Sequence, residues 1–307
     1  MIYDASSGEF VPIFFVLLDG KEEEVYNIAL HHAKVATGNK LRLTTVTADF
    51  EMGLDNALLA AFATVLFIGC LFHWKQAIRR RLIALGFTPQ IITFIIGADG
   101  VMNMLTVIPT EEMREGIRWV RAQVNETADK EKWDTFWEYF WATWCVRYNP
   151  LHWNVHKINA DPSIELLNRT NNPLERFNRR FNAAFPNSTR PSIVAYVATI
   201  LQISNDVIAD LALIRLGKLQ PHRHQPATTY TIPATYPLPA VGLVPVADVV
   251  AAGIVALGPV DAPVIAGPIV LVPAVVVAPM IAPAFNEGLA VPKKKRGPDI
   301  KKSTKTD

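Results

Sequence analysis

Cysteine is scarce: there are two in 307 residues, Cys70 and Cys145. That excludes a disulfide framework of the kind that holds small secreted domains, and it excludes a cysteine-rich zinc knuckle. The first six residues show no basic stretch followed by an apolar one, so no signal peptide is read there. Positive charge is absent from residues 231–292, which hold no Lys or Arg and three acids. Residues 1–230 are balanced, with 23 bases and 23 acids, and residues 293–307 carry seven bases and two acids. The net charge of +2 therefore averages a balanced body, a nearly uncharged tract and a basic tail.

Residues 262–285 carry no charge at all, as a membrane span would. Proline argues the other way. Pro263, Pro268, Pro273, Pro279 and Pro283 interrupt the run, and each costs about 3 kcal/mol inside a helix. Twelve of the 22 prolines fall between 226 and 292, among Ala and Val. The composition predicts an extended, low-complexity linker over 219–292, prone to self-association, and no membrane partner.

The body opens with a continuous apolar run, 11–18, of strand length. A helix is expected over 21–35, a strand over 41–47, a helix over 51–62, a strand over 63–71 and a basic helix over 73–85. This alternation predicts an α/β protein with parallel strands. Residues 88–168 are expected to be helical and hold six of the seven tryptophans. Trp133, Phe136, Trp137, Phe140, Trp141 and Trp144 recur at three- and four-residue spacing, as a broad helix face. A packed core is the favoured explanation of that face, over a base-stacking platform. Two further helices are expected over 172–185 and 191–216.

Four places could carry chemistry. Asp49 follows a predicted strand, where open α/β sheets place ligands, and it is also a natural cap for the next helix. Cys70 and His73 form a Cys-x2-His pair that either binds zinc, with His152 and His156 completing the set, or packs between strand and helix. Lys75, Arg79, Arg80 and Arg81 make a basic helix, either solvated or facing phosphate. In 168–180, Asn172, Pro173 and Glu175 read as a capping box. The same segment sets Glu175 among Arg169, Arg176, Arg179 and Arg180, a carboxylate among bases suited to metal-assisted phosphodiester chemistry on DNA.

These segments resemble the transposase domain of Mutator-like elements. The run 11–18 with Tyr26 resembles that family's first matching strand and its Tyr-bearing helix. Residues 47–51 resemble its second-aspartate motif, and Cys70 to His73 its Cys-x2-His. Trp144, Trp153 and Asn154 resemble its tryptophan-marked stretch, and Arg169 to Asn172 with Glu175 the motif carrying its last acid. The resemblance covers about residues 1–215. It implies a ribonuclease-H-like mixed sheet with an inserted all-helical domain. It also implies a carboxylate site for two Mg²⁺ ions, with Asp49 and Glu175 as second and third acids, for DNA cleavage and transfer. The family's first aspartate belongs on a strand ahead of Val11, and Asp4 sits in a predicted turn instead. The expectation is a chain that begins inside the fold and is inactive or nearly so.

The domain expectations are then a first part of the core over 1–87, a helical insertion over 88–168, and the last part of the core over 169–218. The linker over 219–292 and the basic tail over 293–307 follow. DNA is the expected partner. The tail's Lys293, Lys294, Lys295 and Arg296 read as a nuclear import signal, and the Arg296-Gly297-Pro298 turn as a degenerate AT-hook, so the nucleus is the expected location.

Overall fold

The structure is a computed structural model and describes residues 1–124, 129–185, 191–222 and 227–237. The basic tail and most of the Pro/Ala/Val tract lie outside the described residues.

The chain opens with β1 (Ile2–Asp4) and β2 (Glu9–Val11), an antiparallel hairpin closed by Asp4, whose carboxylate accepts from Ser6 and Ser7. Helix α1 (Glu23–Ala36), β3 (Thr45–Ala48), α2 (Met52–Ala61), β4 (Leu66–Gly69) and α3 (Leu71–Ala84) follow. Strands β3 and β4 are parallel, with Thr45 opposite Leu66 and Ala48 opposite Gly69, and α2 is their crossover. All four β3 residues are buried. The described strands thus form two separate two-stranded sheets within a mostly helical α/β molecule.

The predicted strand over 11–18 does not form. The hairpin ladder ends at Val11, and Pro12 has no N–H with which to extend it. Beyond Val11 the run keeps a single isolated bridge residue, Phe15, whose ring lies against Phe177 with centroids 5.7 Å apart.

Beyond α3 come α4 (Pro89–Ile96), α5 (Met113–Gln123), α6 (Lys130–Trp141) and α7 (His156–Ala160), with 3₁₀ turns between α4 and α5 and between α6 and α7. A π-helical turn, Ala142–Arg147, continues α6. On α6, Trp133, Phe136, Trp137 and Phe140 are buried, joined by Trp144 and by Trp74 of α3 in the largest apolar cluster. The aromatic face is therefore core. It does not serve as a platform for bases.

Helices α8 (Asn172–Ala183) and α9 (Ile193–Arg215) pack through Phe177, Phe181, Tyr196 and Ile203. Among the described residues α9 is the one helix long and apolar enough to cross a bilayer. It carries Asp206, which pairs with Arg180 of α8 at 3.0 Å.

Residues 228–236 do not behave as a linker. Tyr236 is buried against the α5–α6 core, its hydroxyl donating to Glu112 at 3.0 Å, and Trp119 donates to the Thr235 carbonyl at 3.3 Å. This strap crosses the helical layer that the aromatic residues build.

Candidate metal centre at the strand ends

The parallel pair sets the site. Asp49 directly follows β3 and Cys70 directly follows β4, so both leave the sheet at its C-terminal edge. The Cys70 amide donates to the Ala48 carbonyl at 2.8 Å, carrying the ladder one residue past the strand. Gly69 is required here, because a Cβ would come within 2.4 Å of the Phe50 ring. His73 lies in the first turn of α3, three residues after Cys70, which brings the two onto one face.

The loop before α8 closes over this edge. The Leu71 amide donates to the Arg169 carbonyl at 2.8 Å, and Thr47 Oγ1 donates to the Asn168 carbonyl at 3.4 Å. Asn171 Nδ2 donates to Asp49 Oδ1 at 2.8 Å, while Cys70 Sγ donates to Asn171 Oδ1 at 3.3 Å. Segments about 100–120 residues apart in sequence thus meet at one point.

An oxygen of Asp49, Sγ of Cys70 and a ring nitrogen of His73 all lie within 4.8 Å of one another, a group able to hold a metal ion. His73 Nδ1 is 2.8 Å from Asp49 Oδ1. The contact is an ion pair at hydrogen-bonding distance, with Nδ1 buried between Asp49 and Cys70. Asp49 and then Cys70 raise the His73 pKa from 6.5 to about 10, against the opposing effect of burial.

Several expectations need correction. Glu175 is not in the three-donor group, and α8 reaches Asp49 through Asn171 instead. The cap of α8 falls on Asn171, one residue before the predicted Asn172, and its side chain is spent on Asp49 and Cys70, leaving the helix uncapped by it. His152 and His156 do not complete a zinc set with Cys70 and His73: His152 packs on Phe67 and His156 Nδ1 faces the Val107 carbonyl at 3.1 Å. Asp4, by contrast, closes the hairpin turn as expected, and it also pairs with Arg215 at 3.2 Å.

The bases divide into two kinds. Arg169 is 1 % exposed, with Nη1 donating to the Thr228 carbonyl at 3.2 Å and burial lowering its pKa to about 10. Lys75 donates to the Gly97 carbonyl at 3.0 Å and to Tyr230 at 2.8 Å, and burial, then Arg169, lowers its pKa to about 8. Both turn donors toward protein acceptors, Arg169 buried under the strap and Lys75 half-buried between the strap and Gly97. Arg81 lies over the Tyr139 ring. Arg79, Arg80, Arg176, Arg179 and Arg180 are exposed, although Arg180 is paired with Asp206. Arg176 and Arg180 also line a cavity of about 150 Å³ between β2, α8 and α9.

Two residues near the site went unsingled in the sequence. Asn171 stood inside a quoted motif, but its neighbour took the capping role. Asp55 is the single charged residue between 52 and 62, a visible signal, and it is 3 % exposed within a few side chains of Asp49 and Glu51.

The resemblance to Mutator-like transposases implies two Mg²⁺ ions, which these donors would have to hold. Mg²⁺ takes oxygen ligands in near-octahedral geometry. The group here offers one carboxylate, one thiol and one imidazole, and its carboxylate already faces His73 and Asn171. The donors do not fit a pair of Mg²⁺ ions. Comparison with protein-family models, curated proteins and solved structures gives no match for this chain.

Proposed function

We propose that the chain is a DNA-binding protein of transposase descent, related to Mutator-like elements, with a ribonuclease-H-like core and incomplete cleavage chemistry. One observation carries the reading. Three motifs quoted for the resemblance, at 47–51, 70–73 and 169–172, meet at a single sheet edge through side-chain and backbone hydrogen bonds. Packing of a strand end requires no such meeting of polar groups from segments so distant. The mismatch between the donor set and Mg²⁺ favours binding without strand transfer. Phosphate contacts then fall to the exposed bases Arg79, Arg80, Arg176 and Arg179, and a nuclear location follows from the basic tail.

The test is duplex binding followed by fluorescence anisotropy across a salt series. Binding should weaken steeply with salt, and replacing Arg79, Arg80, Arg176 and Arg179 together by Gln should flatten the slope by about 3–4. Affinity indifferent to salt and to these changes would refute DNA binding. Strand transfer supported by Mg²⁺ would refute the incomplete site.

A further inference from the structure

The structure assigns a single zinc site to Asp49, Cys70 and His73, with the fourth position open to water. Donor chemistry comes first. A thiolate and an imidazole beside one carboxylate suit a borderline-soft ion, and zinc takes all three ligand types in tetrahedral geometry. Bonds of about 2.0–2.3 Å set ligand atoms roughly 3.3–3.8 Å apart. Here the closest pair stands at 2.8 Å and all three atoms fall within 4.8 Å, so small side-chain rotations open the cage to size.

Orientation supplies the second argument. His73 Nδ1 is buried and turned toward both other donors, 2.8 Å from Asp49 Oδ1 and interacting with Cys70 as well. The ring nitrogen, the carboxylate oxygen and the thiol thus converge on one point, as three ligands of a single ion must. Cys70 is fully buried, and its Sγ donates to an amide oxygen that is itself buried. Binding displaces two protons to solvent, one from the Cys70 thiol and one from the His73 imidazolium, and leaves the thiolate and the neutral imidazole on the ion.

The supporting shell is in place as well. Asn171 fixes Asp49 by donating to Oδ1, and its backbone belongs to the loop anchored by the Leu71 amide. The Cys70 amide is held by the β3–β4 ladder. Asp49 and His73 keep 46 % and 32 % of their side chains exposed, so the ion is reached from that side and water fills the remaining position. A zinc ion here would tie β3, β4, α3 and the α8 loop into one unit.

The assignment is independent of DNA binding and is read by a different measurement. The full chain, stripped of metal under reducing conditions, is titrated with Co²⁺ and then Zn²⁺. One equivalent of Co²⁺ should give a thiolate-to-cobalt charge-transfer band, which zinc abolishes and millimolar Mg²⁺ leaves unchanged. The band should persist in Cys145→Ser and vanish in Cys70→Ser. Asn171→Ala should weaken zinc about 10–100-fold while keeping the stoichiometry. No band in the wild-type chain, a band lost in Cys145→Ser, or one bleached by Mg²⁺ would overturn the assignment. Should Cys70→Ser fail to fold, the wild-type and Cys145→Ser titrations decide it.

Discussion

Asp55 lies buried inside α2, its carboxyl offset only by the backbone of Glu51. Burial, then the charges of Glu51 and Asp49, raises its pKa from 3.8 to about 8. Tyr26 and Tyr148 are the other titratable groups that face it. Between pH 3.8 and about 8 the folded chain holds a proton that the unfolded chain has lost, so stability falls as pH rises through that window and levels off above it. Asp55→Asn keeps the shape without the charge. Its denaturant midpoint should exceed the wild type's at pH 8, by about 1–3 kcal/mol of stability, and the difference should shrink toward pH 5. An equal midpoint at both pH values would show that the carboxyl ionises freely in the folded state. Asp49 and Cys70–His73 were legible as candidates because each follows an apolar run that reads as a strand. Their meeting in one donor set was not legible, since it depends on register between β3 and β4 that no local pattern encodes.

At the scale of elements, α6 and α9 are both apolar but are used differently. On α6, Trp133 is 1 % exposed and stacks on Trp137 with centroids 6.4 Å apart. Trp133→Ala should cost about 3–5 kcal/mol, because it leaves a cavity in a close-packed cluster. On α9, Val194, Leu201 and Ile208 are 75 %, 60 % and 65 % exposed. Leu201→Gln should change stability by less than about 0.5 kcal/mol. Urea melts of the two variants check both, and a large loss for Leu201→Gln would mean that α9 is covered in the native protein. Helical periodicity made these helices readable, whereas the strand over 11–18 was misread because apolar content alone cannot show whether an edge exists to pair with. The α8 cap was misread by one residue because both Asn171 and Asn172 are good caps, and a tertiary contact decided between them.

Across the whole molecule, the strap over 228–236 determines which charges stay inside. Tyr230 accepts from Lys75, and the Thr228 carbonyl accepts from Arg169, while Arg169 Nε and Nη2 have no hydrogen-bond partner among the described residues. A buried cation without a counter-ion is costly, so the strap's own packing must hold it in place. Tyr236→Ala removes the anchor between Trp119 and Glu112. It should cost about 2–4 kcal/mol and make residues 227–237 the first site of proteolytic nicking. Unchanged nicking would mean that the strap is held elsewhere. Proline content suggested a linker through this region, and the two tyrosines that contradict it carry no periodic signal.

That closure also sets an order of events during synthesis. The Trp119 indole waits for the carbonyl of Thr235, 116 residues later in the chain. At about 5–20 residues per second on a ribosome, the interval is roughly 6–23 s. For that time one flank of the tryptophan-rich core remains bare on the nascent chain, which makes the unfinished protein a client for holding chaperones and makes translation speed a determinant of its yield.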